Sequence, residues 1–453
     1  MRDRENPKWS ISGIFVEGLF GELDHEFQMD QPSGITILIG PNGVGKTKVL
    51  GLIEALLNLQ VSKLLTEPYC RIEVRFRSGE VLECRRFAEH GSSEASAKIS
   101  LHTKLSNHWW LFSTTDLNQF EDWAEDRALL RRKRLAGSKY WLTGARFLNT
   151  DQLLNEAIIH GEIEGQPFDA GEDAQSIKKF LGSENALMIA ANRIDNLIHP
   201  AESIGRYSLL EPVESTKIAD YIQGEFETAR REYLRVSQEL DSTFPSRLLD
   251  ETGETVREKT FESEEEFRAV YGFLSESFRE ITANVGIGGL EMAPLPTRSL
   301  EPWEIRALTL HVWDGLAKIG ALRSLSTRIE VFENLVNSKL VRSNITVKPT
   351  GLVLEFNDGR SESPGSSNLS SGERHQIQMA FDLVFKGKTK SLILIDEPEI
   401  SLHVNWQNEI LREFSELREV NQSQYLVATH SPEIIGGAWD SVRPLTFLNE
   451  GRG

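Results

Sequence analysis

With 453 residues, 39% of them hydrophobic and only two cysteines, the chain can hold two or three domains and bury a large core without disulfide staples. Its formal net charge of -18 excludes a surface that coats nucleic acid all over, while a local basic groove would survive that average. Cys70 and Cys84 form no C-x-x-C pair, which rules out a zinc hook or redox dithiol, and no apolar leader or run of ~18 uncharged apolar residues occurs. The expectation is a cytoplasmic protein with no membrane association.

Residues 11–27 read as short β structure and lead to the apolar run Ile35-Thr36-Ile37-Leu38-Ile39. GPNGVGKT follows at residues 40–47, and a helical pattern covers 48–59. A strand, a glycine-rich turn and a helix start, in that order, make a phosphate cradle. Gly40, Gly43 and Gly45 remove side chains that would hold the backbone off a phosphate, and Pro41, Asn42 and Val44 complete the loop. Lys46 can reach the β- and γ-phosphates, Thr47 offers a hydroxyl to Mg²⁺, and Lys48 follows in the first helical turn. The competing reading is an ordinary tight turn between strand and helix.

Next, 71–76 and 81–87 alternate around Arg77-Ser78-Gly79-Glu80, and 98–103 resembles a third strand, so a small antiparallel sheet is expected beside the loop. Arg127, Arg131, Arg132, Lys133 and Arg134 form a basic knot, read as a solvated helix face or as a nucleic-acid or partner contact. The short apolar strand 186–191 delivers Asn192 and Arg193 at its end, either as a strand cap or as a phosphate sensor. Beyond Pro200 the periodicity turns helical: Ile222, Phe226, Ala229 and Tyr233, then Phe267, Leu274 and Phe278, then Val312, Ile319, Leu322, Ile329 and Phe332. These stripes are read as packing. The β pattern returns at 345–348 and 352–356, with a Ser- and Gly-rich loop over 361–372.

Ser391-Leu392-Ile393-Leu394-Ile395-Asp396 reads as a buried parallel strand ending in a carboxylate, where open α/β sheets bind ligands. Asp396 can hold Mg²⁺ opposite Thr47, and the adjacent Glu397 can polarise a water for attack on the γ-phosphate. Asn368-Leu369-Ser370-Ser371-Gly372-Glu373-Arg374 opens a helix over 375–385, and Tyr425-Leu426-Val427-Ala428-Thr429-His430-Ser431 is a second buried strand ending in an imidazole. Read alone, LSSGE serves as a helix N-cap and His430 as a satisfied core histidine.

In the order phosphate loop, LSSGE, LILIDEPEISLH, VATHS, these pieces resemble the head of an ABC-type ATPase of the SMC, RecF and OLD-like branch. The resemblance covers 11–191 and 345–448. It implies an α/β fold: a P-loop head of mixed sheet and small antiparallel sheet, with an inserted helical arm. It divides the chain into an N-terminal lobe (1–199), a helical or short coiled-coil insertion (200–344) and a C-terminal lobe (345–453). It makes Gly40 to Thr47 the Walker A loop with ATP and Mg²⁺ as cofactors, Asp396 the end of Walker B, Glu397 the catalytic base, Ser401 to His403 the D-loop and His430 the switch histidine. Ser370, Ser371 and Gly372 become the signature that completes the nucleotide site of a second copy. Three departures stand out: Ser371 and Glu373 replace glycine and glutamine of transporter-like signatures, only Asn192 offers itself for the lid position, and no length remains for the nuclease domain of OLD-like nucleases.

By this resemblance the chain is an ATP-driven switch, at least a homodimer, that controls a separate nuclease or toxin in bacterial anti-phage defence, as in PARIS, Septu and retron-associated systems, with a phage-derived trigger. The alternatives are a DNA-repair or chromosome-maintenance ATPase that touches DNA through Arg131 to Arg134, and a partner-sequestering scaffold in which ATP is structural.

Overall fold

A computed structural model describes residues 10–29, 31–88, 94–126, 131–135, 138–143, 146–160, 171–182, 185–190, 214–249, 261, 263–286, 292–362, 369–400 and 404–445. The chain divides into two compact units, one built from Met1–His199 and Phe381–Gly453, the other from Pro200–Ala380.

The first unit opens with strands β1 (Ile11–Leu19), β2 (Leu23–Gln28) and β3 (Ile35–Ile39) and helices α1 (Lys46–Leu57) and α2 (Val61–Thr66). Strands β4 (Arg71–Phe76), β5 (Val81–Ala88), β6 (Ala95–His102) and β7 (Asn107–Ser113) precede α3 (Thr114–Asp126). A three-stranded meander of β8 (Arg131–Leu135), β9 (Ser138–Thr143) and β10 (Arg146–Asn149) leads to α4 (Thr150–His160), α5 (Gly171–Leu181) and β11 (Ala186–Ala190). Arg131 to Arg134 therefore lie on an edge strand, correcting the expected helix face, whereas Arg127, Asn192 and Arg193 fall outside the described residues.

The second unit holds three long helices, α6 (Glu214–Leu248), α7 (Glu264–Asn284) and α8 (Pro302–Asn337), then β12 (Ser343–Lys348), β13 (Gly351–Phe356), β14 (Ser361–Glu362) and α9 (Ser371–Phe381), whose last residue belongs to the first unit. The apolar stripes are buried as packing: Ile222 and Phe226 on α6, Phe267 and Leu274 on α7, Val312, Leu322 and Phe332 on α8. Arg247 near the end of α6 makes a two-pronged ion pair with Asp314 on α8, at 2.6 and 2.8 Å. The division of the chain falls at 380/381, not at the expected 344/345. The reason is local: Asn337 Oδ1 accepts from Ile345 N at 2.6 Å, and Glu333 Oε1 accepts from Val347 N at 2.7 Å, which ties the β12–β13 hairpin to α8.

The chain re-enters the first unit through a π turn (Asp382–Lys386) and a 3₁₀ turn (Gly387–Thr389), then forms β15 (Leu392–Asp396), α10 (Val404–Gln407), α11 (Ile410–Asn421), β16 (Gln424–Ala428), α12 (Pro432–Ile435) and β17 (Val442–Pro444). Two sheets organise this unit. The first has the order β11-β15-β16-β3-β17 with every pairing parallel, and its strands other than the short edge strand β17 are the near-continuous apolar runs that burial on both faces demands. The second is antiparallel, β2-β1-β4-β5-β6-β7, and larger than the small sheet expected, because β1, β2 and β7 all join it. One face supplies Ile14, Val16, Val74, Leu82, Ile99 and Phe112 to a core shared with Leu50, Ile53 and Leu57 of α1. On the other face charges alternate along each strand, with Arg71 opposite Arg85 and Glu73 opposite Glu83, and the ion pairs run along and diagonally between strands: Arg75 joins Glu26 and Glu73, Arg71 joins Glu73 and Glu83, and Arg85 joins Glu83. Gln424 stitches the two sheets together, accepting from Ile11 N at 2.7 Å and donating to Ile11 O at 2.9 Å and Met29 O at 3.3 Å.

Candidate functional site

The register of the parallel sheet sets the site. Asp396 pairs with Ala428 and Ala428 with Leu38, so β15, β16 and β3 finish level with one another. Their next residues, Glu397, Thr429-His430 and Gly40, leave the sheet along one edge, where ligands bind in open parallel sheets.

From β3 the chain turns through the phosphate loop. Gly43 and Gly45 take φ of 87° and 92°, left-handed values that favour glycine. A side chain on Gly45 would also meet Leu19 Cδ2 at 2.5 Å, so β1 packs against the loop from behind. His25 braces it from β2: the buried ring donates from Nε2 to Val44 O at 2.9 Å, and burial lowers its basicity. Gly45 is the N-cap of α1 and gives no side-chain cap, which leaves the first-turn N–H groups for an incoming anion at a positive helix end. Lys46 Nζ donates to Gly40 O at 2.9 Å and Pro41 O at 3.2 Å and lies 2.6 Å from His430 Nε2. Burial lowers the Lys46 basicity, opposed by the carboxylates of Glu397, Asp396 and Glu399. Lys48 is turned elsewhere, paired with Glu67 at 2.7 Å. Asn42 stands exposed at the tip.

Thr47 Oγ1 donates to Asp396 Oδ2 at 2.7 Å, joining residues 349 apart in sequence. The other carboxylate oxygen, Oδ1, is buried and has no hydrogen-bond partner among the described residues. Burial is the main cause that raises the Asp396 pKa, countered by the Thr47 hydrogen bond and reinforced by Glu397. An orphaned carboxylate oxygen beside a threonine hydroxyl is a hard oxygen donor set, so these residues fit a small divalent cation such as Mg²⁺. Glu397 follows in a left-handed conformation, φ 50°, its N–H bonded to Ala428 O at 2.8 Å. That turn takes its carboxylate out of the strand direction, with Oε1 3.9 Å from His430 Nε2. Lys46, Thr47, Asp396, Glu397 and His430 thus meet at one place.

Three features of this site escape sequence reading. His25 acts through a main-chain carbonyl, and Glu399 accepts from the Thr429 side-chain hydroxyl at 2.8 Å and from the main-chain His430 N at 2.7 Å. Phe20, at the β1–β2 turn, is 45% exposed with φ 57°, and its ring reaches to within 3.2 Å of where a Gly45 side chain would begin. A ring held there offers a flat apolar face beside the loop. The glycines flanking it, Gly18 and Gly21, were the available signal for a tight turn.

Ser370, Ser371 and Gly372 belong to the second unit. Ser370 Oγ accepts from Glu373 N at 3.2 Å while Glu373 Oε2 accepts from Ser370 N at 2.8 Å, a reciprocal capping box that opens α9. LSSGE therefore serves as the N-cap of α9, with Ser370 and Glu373 occupied by one another. Ser401, Leu402 and His403 lie outside the described residues.

Comparison with known proteins adds the following. A family model described as "AAA domain, putative AbiEii toxin, Type IV TA system" matches residues 315–436, which include Ser370, Asp396, Glu397 and His430 but not the phosphate loop. The similarity of that segment is to AAA-type domains. No curated protein matches the chain. Among solved structures it is similar to the Smc head domain of Pyrococcus furiosus bound to the C-terminal domain of ScpA, at 13% identity over 94% of this chain and 91% of that one, TM-score 0.38. It is also similar to the SMC head domain from Thermotoga maritima, at 10% identity over 96% and 94%, TM-score 0.31. Among the described residues no helix is long and apolar enough to cross a membrane.

Proposed function

We propose that the chain binds and hydrolyses ATP as a switch, that two copies close head to head on the nucleotide, and that closure controls a separate effector, a nuclease or toxin, in anti-phage defence. The observation that carries the ATPase reading is the Thr47–Asp396 hydrogen bond with a second, orphaned Asp396 oxygen, set beside Lys46 and Glu397. The loop N–H groups and Lys46 hold the β- and γ-phosphates, and Thr47 and Asp396 hold Mg²⁺. The metal supplies charge neutralisation on the phosphate oxygens. Glu397, whose carboxylate meets only the His430 ring at 3.9 Å among the contacts described above, takes a proton from the attacking water. His430, whose Nε2 lies 2.6 Å from Lys46 Nζ, is the group that would sense loss of the γ-phosphate. The Ser370 terminus of a second copy completes the site, and the similarity of residues 315–436 to an AAA domain described with a toxin–antitoxin system is in keeping with a link to a toxin.

Glu397→Gln tests this. The expected outcome is ATP turnover reduced about 100-fold or more, with ATP still bound and dimers trapped. Unchanged slow turnover would favour a structural nucleotide instead. Co-purification of an effector encoded beside this chain tests the second half. One observation favours a second reading, a DNA-directed ATPase: four consecutive basic residues occupy the edge strand β8. It requires DNA-stimulated hydrolysis with a steep salt dependence that is lost when Arg131 to Arg134 are neutralised.

A further inference from the structure

The main-chain ladder between β15 and β16 ends with the hydrogen bond from Glu397 N to Ala428 O, at 2.8 Å. Beyond it the backbones part, because Glu397 turns left-handed at φ 50° while Thr429 N bonds sideways to Leu38 O at 3.1 Å. The two loops that leave here carry the acid and the imidazole of the site. Next to that last ladder bond, the Glu399 side chain spans the gap, and farther out Ser431 Oγ donates to Gln407 Oε1 at 2.6 Å. Glu399 Oε1 accepts from the His430 N–H at 2.7 Å and Oε2 from Thr429 Oγ1 at 2.8 Å, and Thr429 Oγ1 in turn accepts from Ser431 N at 3.0 Å. Thr429 is fully buried, so this hydroxyl is a fixed point.

We propose that Glu399 is a positioning residue: its carboxylate replaces the missing ladder bonds, fixes the His430 main chain relative to the Glu397 loop, and leaves only the imidazole free to move. The division of labour among the three acids follows from their partners. Both Glu399 oxygens are occupied, one Asp396 oxygen is held by Thr47, and the Glu397 carboxylate is left to take a proton. Glu399 therefore does not compete as a base. It sets the distance between base and sensor.

This rests on the ATPase reading above, so the test carries two separable readouts. In the full chain, Glu399→Ala, Glu399→Gln and Thr429→Val are compared for kcat and KM with ATP, and for the His430 ring resonances without nucleotide, assigned by their loss in His430→Gln. Removing a charge-assisted hydrogen bond at this position should lower kcat about 10- to 100-fold, with KM changed less than about threefold. Glu399→Gln keeps one acceptor for His430 N–H and should recover most of the rate, and Thr429→Val should fall between. The His430 resonances should move in Glu399→Ala and return in Glu399→Gln. A folded Glu399→Ala chain with wild-type kcat and an unmoved His430 signal overturns the proposal, as does a Gln variant as impaired as Ala in both readouts. If the wild type hydrolyses no ATP, the ATPase reading fails and the His430 signal alone decides this one; if Glu399→Ala does not fold, Glu399→Gln against Thr429→Val decides it.

Discussion

Asp396 carries the conflict between folding and chemistry at its sharpest. Burial holds its carboxyl above the ordinary carboxylate range, so without a cation the folded chain takes up a proton there more readily than the unfolded chain does. The contribution of Asp396 to the stability of the metal-free protein therefore falls as pH rises from the unfolded carboxyl value, about 3.9, through the raised folded value, and is level above it. Asp396→Asn removes the buried charge while its amide oxygen can still accept from Thr47. Its thermal midpoint should exceed that of metal-free wild type at neutral pH, and the gap should close in acid. A gap that is the same at every pH would show that charge is not its source. The same variant should lose the additional stabilisation that Mg²⁺ gives wild type in the presence of ATP. Glu397 stores a second strain, a left-handed backbone worth about 1–3 kcal/mol at a non-glycine position, which its bond to Ala428 O helps to hold.

At the scale of elements, the structure depends on pairings between distant segments. Gln424 on β16 makes three main-chain hydrogen bonds to β1 and the end of β2, across 413 residues in the case of Ile11. Gln424→Ala strands buried groups of Ile11 and should cost about 2–4 kcal/mol in urea unfolding; an unchanged midpoint would mean water replaces the amide. Such contacts explain what was legible in the sequence. The phosphate loop, the buried runs ending in Asp396 and His430, and the helical stripes are local patterns: α1 begins at Lys46 where 48 was expected, and α9 at Ser371, four residues before the expected 375. The partners of Gln424 and His25 are main-chain atoms, and those of Glu399 are the His430 N–H and the Thr429 hydroxyl, all brought near by the fold, so no spacing or composition announces them. Arg131 to Arg134 read as a helix face because charge density masks the β propensity of Tyr140, Trp141 and Leu142 in the partner strand β9. Strand β7 is missed for a related reason: its pairing with β6 places exposed Trp109 and Leu111 on the sheet's outer face, which hides the usual alternation.

For the whole molecule, the proposed sandwich makes each nucleotide site depend on two copies of the chain. Mixing Lys46→Ala with Ser370→Arg chains should restore ATP turnover above either variant alone, since a mixed dimer retains one intact site. Turnover that stays absent while mixed dimers demonstrably form would leave only concerted firing or a different assembly. Within one copy, the site already joins opposite ends of the sequence: Thr47 meets Asp396 across 349 residues and Lys46 meets His430 across 384. On a ribosome adding about 5–20 residues per second, roughly 20–80 s separate the making of the phosphate loop from the making of its partners. For that interval β3 has neither of its sheet neighbours, β16 and β17, and presents two open apolar edges. The antiparallel sheet, whose strands all emerge before residue 114, can form first and cover α1 while the remainder is translated. Nascent chains halted before residue 392 should therefore resist protease over β4 to β7 yet bind no ATP, so that a nucleotide-competent head exists only after its last strands are made.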